Sequence, residues 1–132
     1  MLLVVQRCKS AEVFVSKKII SKIKHGLVLL LGVEKKDSLE DVIFLANKVT
    51  SLRVFNDDHD KTNLSINDVK GSILVVSQFT LCADTTKGRR PSFINSAKPA
   101  KAENLYDNFI LELKKRGIKC KSGTFGAYME LK

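Results

Sequence analysis

The chain has 132 residues, 44% hydrophobic and 28% charged, which is enough for one domain that hides about two-thirds of its unfolded surface and is not a disordered composition. Its net charge of +9 is unevenly placed: residues 1–86 hold 12 Lys or Arg against 10 Asp or Glu, and residues 87–132 hold 11 against 4. That asymmetry suits a polyanion partner or, equally, a set of solvated lysine faces.

From the N-terminus, Leu2 to Val5, Ala11 to Val15 and Ile19 to Ile23 are short β-branched segments that read as antiparallel strands. The opening Met-Leu-Leu-Val-Val-Gln-Arg is too short for a signal sequence, and no run approaches the roughly 18 apolar residues of a membrane span. Gly26 to Val33 is a continuous apolar run and predicts a central strand buried on both faces. Leu39 to Leu52 has helical spacing after Ser38, with Asp41 placed for a capping box.

Arg53-Val54-Phe55 reads as a strand entering an acidic turn, Asn56 to Asp60. His59 in that turn reads as solvated. Asp57, Asp58 and Asp60 are hard oxygen ligands, but the glycine and closing glutamate of a calcium loop are missing, so no metal is expected. A second strand pair is predicted at Leu64 to Ile66 and Ser72 to Phe79. Pro99 opens a second helix with an apolar face at Ala102, Leu105, Tyr106, Phe109, Ile110 and Leu113, closed by Lys114-Lys115-Arg116 and Gly117. Ile118 to Lys121 and Thr124 to Leu131 return to strand character.

Strands, helix, strands, helix and strands in one unit, with no repeat or linker, predict a single α+β or α/β layered domain over residues 1–132. Cys8, Cys82 and Cys120 lack any Cys-x-x-Cys spacing, which argues against a disulfide framework or zinc and for a reducing compartment. The expected location is cytoplasmic, without a membrane partner.

The chemistry is harder to place. His25 and His59 are the only histidines and neither has a nucleophile elbow to serve; there is no phosphate-binding glycine loop and no zinc-binding helix motif. What remains is the polar strand end Ser77-Gln78-Phe79-Thr80. Its side chains and amides either orient a polar substrate and hold an oxyanion, or merely satisfy a turn. Arg89-Arg90 beside Ser92 hold a phosphate or stand solvated.

Several stretches together resemble the D-aminoacyl-tRNA deacylases of the bacterial and eukaryotic type. They are Val5-Gln6-Arg7, Gly26 to Glu34, Arg53-Val54-Phe55, Asn63-Leu64-Ser65, Val76 to Leu81, Lys87 to Phe93, and Gly123 to Met129, in order over nearly the whole chain. The resemblance implies an α+β domain of antiparallel and mixed sheets in a barrel-like arrangement with two main helices, working as a homodimer without metal or cofactor. It implies hydrolysis of the ester joining a D-amino acid, or glycine, to the terminal adenosine of tRNA. By the same resemblance, Ser77, Gln78, Phe79 and Thr80 line the catalytic pocket, with Phe79 supplying a main-chain amide. Phe125, Gly126, Ala127 and Met129 hold the adenosine, and Arg7 braces the pocket. Otherwise, Phe125 is core and Arg7 a surface strand residue.

The family continues past the Tyr-Met element with a strand and an Asn-x-Gly-Pro-x-Thr motif whose cis Gly-Pro enters the partner's active site and crowds out L-amino acids. Here the prolines stand at 91 and 99 alone, and the chain stops two residues after Glu130. The expectation is a deacylase shortened at its C-terminus, weakly active or poorly selective.

Overall fold

The computed structural model describes residues 1–132. Nine strands and two helices follow in order: β1 (Leu2–Cys8), β2 (Ala11–Val15), β3 (Lys18–Ile23), β4 (Gly26–Gly32), α1 (Leu39–Ser51), β5 (Phe55–Asn56), β6 (Thr62–Leu64), β7 (Ser72–Ser77), α2 (Pro99–Lys115), β8 (Lys119–Ser122) and β9 (Glu130–Leu131).

The main sheet has the order β1-β4-β7-β8. β1 runs antiparallel to β4, and β4, β7 and β8 run parallel to one another. A parallel neighbour requires a long crossover, and α1 and α2 lie in the two crossovers, after β4 and after β7. The uninterrupted apolar run of β4 follows from its position. Leu27, Leu29 and Leu31 pack with Val42, Ala46 and Val49 of α1 and with Leu105, Phe109 and Leu113 of α2. On the opposite face Val28 packs with Ala11, Val13 and Ile23 of a smaller sheet, β3-β2-β9. A strand covered on both faces has no polar side to alternate with. The layers are helices, main sheet and small sheet.

Local signals explain the helix ends. The Asp41 carboxylate accepts from the Ser38 backbone N–H at 2.8 Å and from its hydroxyl at 3.2 Å, and that backbone bond is the main reason its pKa is lowered. At the end of α2, Gly117 has φ +78. Its N–H bonds Lys114 O at 2.9 Å and the Ile118 N–H bonds Leu113 O at 3.2 Å, a Schellman closure that spends two orphan carbonyls and buries Ile118. The basic Lys114-Lys115 pair sits in this last turn as expected.

The expected layered α+β arrangement holds, with the sheets open and stacked rather than closed into a barrel. Three expectations are corrected. The second strand pair does not form: β6 pairs with β5, Phe55 opposite Leu64, because Asp68 captures the Ser65 N–H at 2.8 Å and its hydroxyl at 2.7 Å and bends the chain there. β7 instead lies between β4 and β8 and stops at Ser77. The strand expected over Thr124 to Leu131 is broken by a turn at Phe125 and Gly126, with Gly126 at φ +72, and only Glu130–Leu131 pairs, with Val13 and Phe14 of β2.

Candidate active site

β7 ends against the end of β4, with Ser77 opposite Leu31, and the Gln78 N–H bonds Leu31 O at 2.8 Å. The chain then tightens into a 3-10 turn, Phe79–Cys82. Leu81 N–H bonds Gln78 O and Ala83 N–H bonds Thr80 O, both at 3.2 Å. The Phe79 and Thr80 amides, at the start of the turn, have no acceptor within it. Gly32 makes this fold-back possible. A methyl group built there would stand 3.0 Å from Leu81 Cβ, 3.2 Å from Gln78 O and 3.3 Å from Cys82 Sγ.

The opposing wall comes from the segment after β8. Gly123 N–H bonds Val75 O at 2.9 Å, and the buried Tyr106 hydroxyl donates to the same carbonyl at 2.9 Å. Both lone pairs of Val75 O are thereby used. The Phe125 ring lies 5.7 Å from that of Tyr106. Met129 folds back on Gly123, where a Cβ would come within 2.5 Å of its sulfur. Burial, above all, pushes the Tyr106 hydroxyl well above its ordinary pKa.

Between these walls lies a cavity of about 830 Å³ lined by 20 residues, within the range of small-molecule sites. It brings Ser77, Gln78, Phe79 and Thr80 together with Phe125, Gly126, Ala127 and Met129. Arg7 is not brought there. It stands opposite Leu27, roughly 13 Å along β4 from Leu31. There it lines a separate hollow with Lys9, His25 and Phe55 and donates to Asn56 Oδ1 at 3.3 Å. Within one chain Arg7 therefore does not brace the pocket, because the antiparallel register of β1 on β4 puts Leu2 and Leu3 at the cavity end and Arg7 at the other.

The chemistry of the lining is unusual in one respect. None of the 20 residues is Asp, Glu, His, Lys, Arg or Cys. His25 packs on Phe55 in the other hollow, and His59 is exposed in its turn, where Asp57 accepts from the His59 and Lys61 amides. No three His, Cys, Asp or Glu side chains cluster anywhere as metal ligands. Cys82, the last residue of the turn, is buried with its thiol on Val33 O at 3.5 Å. Burial first, and then the negative charges of Glu34 and Asp37, raise its pKa, which removes it as a thiolate. Gln78 Nε2 donates to Thr80 Oγ1, so the threonine oxygen serves as an acceptor.

Two lining residues had a different meaning in the sequence. Tyr106 read as one more apolar position of α2. Its signal was a hydroxyl among aliphatics, which has to find a partner when buried. Phe93 lay in the motif without a role; its ring meets that of Phe79 at 5.0 Å, edge to face, at the cavity rim.

The family model described as D-Tyr-tRNA(Tyr) deacylase matches residues 4–132. A D-aminoacyl-tRNA deacylase of Thermosipho melanesiensis is 53% identical over 129 residues, covering 97% of this chain and 86% of that one. One of Anoxybacillus flavithermus is 47% identical over 131 residues, covering 99% and 90%. Among solved structures, the c-Myc DNA Unwinding Element Binding Protein superposes with a TM-score of 0.92 at 38% identity, covering 98% of this chain and 88% of that one. With the fold, the cavity and these likenesses in agreement, the chain belongs to the D-aminoacyl-tRNA deacylase family.

Proposed function

We propose that the chain hydrolyses the ester of D-aminoacyl-tRNA, acting in the cytoplasm in proofreading of charged tRNA. The observation that carries this reading is a cavity with unpaired turn-start amides on one wall, an aromatic and a thioether on the other, and no ionisable acid or base in the pH range of catalysis. A peptide bond would demand an activated nucleophile; an aminoacyl ester is labile enough for positioning and oxyanion donors to suffice.

In this reading the terminal adenine packs between Phe125 and Met129, and the ester carbonyl faces the Phe79 and Thr80 amides. Water attacks the carbonyl carbon and the electron pair moves to the carbonyl oxygen, where those N–H groups receive it. Collapse breaks the bond to the ribose oxygen, which leaves with a proton relayed by the neighbouring ribose hydroxyl. A single well-placed oxyanion donor is worth about 3 kcal/mol. Thr80 acts as scaffold: its oxygen accepts from Gln78, whereas a nucleophile needs a base to accept its proton.

The chain works as a homodimer in this proposal. β1 is an edge strand of the main sheet and leaves Leu2 and Val4 exposed, surface that a second copy would cover. No helix is long and apolar enough to cross a membrane. A solution mass of twice 14.7 kDa is expected; a single 14.7 kDa species at assay concentration would remove the dimer.

The name of the 38% identical structure favours a second reading, a nucleic-acid-binding module without turnover. Both readings predict salt-sensitive binding of tRNA. Release of free D-tyrosine from D-Tyr-tRNA in multiple turnovers supports the hydrolase; saturable binding with no release would leave only the binding module.

A further inference from the structure

The cavity accounts for the polar turn and for Phe125 to Met129 but leaves the basic stretch that precedes Phe93, Lys87 to Arg90, without a task. That stretch is a tethered loop. Asp84 and Ser92 form an antiparallel bridge, Asp84 N–H to Ser92 O at 2.8 Å and Ser92 N–H to Asp84 O at 2.9 Å. Inside it, Asp84 Oδ1 accepts from the Thr86 N–H at 2.9 Å and from the Thr86 hydroxyl at 2.6 Å. Gly88, at φ +69 with open space around it, turns the tip.

Lys87, Arg89 and Arg90 are exposed, and none of them enters an ion pair or side-chain hydrogen bond, although Arg116, Lys22 and Lys115 elsewhere on the surface do. The one carboxylate of the loop, Asp84, is occupied by Thr86. Those bonds, the hydroxyl first, hold its pKa below the ordinary value. The loop therefore presents three cations held near one another with nothing on the chain to neutralise them.

Its position supplies the meaning. Phe93, one residue past the bridge, lines the cavity and packs edge-on against Phe79. Arg90 is three residues from Phe93, so their Cα atoms are at most about 11 Å apart. Long Arg and Lys stems extend that reach, and a guanidinium pairs with two phosphate oxygens at once. The cavity itself carries no charge, so it cannot by itself hold a polyanion at its mouth.

We propose that the Lys87–Arg90 loop is a phosphate clamp for the single-stranded RNA leading into the cavity, gripping the last internucleotide phosphates while the terminal nucleoside sits against Phe125. This rests on the reading of the cavity as the seat of that nucleoside. Backbone contacts of this kind carry no sequence code and set register and affinity. They would let one enzyme accept many tRNAs while its pocket inspects only the terminal ester.

The test uses the full chain and uncharged tRNA, so that no turnover is needed, with binding followed by fluorescence from 50 to 300 mM KCl. Replacing Lys87, Arg89 and Arg90 together by Ala is expected to weaken tRNA binding roughly tenfold or more and to flatten the slope of log K against log salt by about 2, three contacts at about 0.7 each. The same three charges removed at Lys114, Lys115 and Lys119, at the far end of α2 and β8, are expected to leave the slope near that of the unaltered chain. R89K with R90K, which keeps the charges but loses the guanidinium fork, is expected to restore the salt slope and only part of the affinity.

A D-tyrosyl ester of adenosine, which has no phosphate, should be hydrolysed alike by the unaltered chain and the triple Ala variant. An unchanged salt slope in the loop variant, or an equal loss in the distant triple variant, overturns the clamp. Failure of the unaltered chain to cleave either ester overturns the hydrolase reading while the binding result still decides the loop.

Discussion

The two ends of β4 are both marked by glycine, and the contrast between them separates the packing of the sheet from the shape of the cavity. At Gly26 a Cβ would sit 1.8 Å from the Ser72 carbonyl oxygen. That is a collision with backbone at the first rung of a parallel pair, Gly26 opposite Ser72, and nothing nearby can yield. At Gly32 the contacts are 3.0 to 3.3 Å and fall on the turn that carries Phe79 and Thr80. There the backbone can give by a few tenths of an ångström, but what moves is the wall of the cavity. One glycine permits the sheet and the other permits the turn that walls the cavity.

The sharpest way to break this contrast is Gly26→Ala. Separating β4 from β7 there is expected to cost more than about 4 kcal/mol and leave little soluble, cooperatively folded chain. A variant with the urea midpoint of the parent would show that this end tolerates a side chain. Gly32→Ala should do the converse, lowering stability by only about 1 to 2 kcal/mol while kcat on D-Tyr-tRNA drops roughly 30-fold, as expected for misplaced oxyanion donors. Equal loss of stability in the two variants would erase the distinction.

Cys120 stands opposite Ile73, beside the Gly26 end, and burial pushes its thiol from 9.0 up to about 11. Because the folded value is the higher one, the neutral thiol stabilises the fold fully below pH 9, and that contribution is lost as pH rises from about 9 to about 11. The loss should amount to about 2 kcal/mol. Urea midpoints of the parent and of Cys120→Ala, compared between pH 8 and pH 11, isolate it; parallel curves would refute it. The smallest effect is expected at the functional end. Thr80→Ala retains the backbone amide and should keep kcat within about tenfold, whereas loss of a true nucleophile costs 10⁴ or more. Single-turnover release of D-tyrosine decides between them.

Much of the scaffold was legible because its signals are local. The period of Val42, Ala46 and Val49, the Ser38–Asp41 cap, Pro99 and Gly117 each act within a turn or two of chain. So did the buried run from Gly26 to Gly32. The misreadings share a different cause. Leu64 to Ile66 has strand composition, yet the Asp68 side chain outbids a ladder bond. Thr124 to Leu131 has it too, yet Gly126 turns the chain toward the cavity. Both are turn chemistry overriding propensity.

The candidate site divides along the same line. Ser77 to Thr80 and Phe125 to Met129 were identifiable as motifs, but nothing in their spacing places them face to face. Pairing of β7 with β8 and the shared carbonyl of Val75 do that. The same long-range pairing sends Arg7 to the opposite end of β4.

From the sequence alone came the helices, the buried central strand, the family likeness and an excess of positive charge toward the C-terminal third. Those properties depend on periodicity, capping and composition, which neighbouring residues settle among themselves. Tertiary structure alone decided that the cavity is free of charged groups and that the cations stand on a loop just outside it. Strand order brings together residues far apart in the chain, and the free energy of that choice is shared across the whole core.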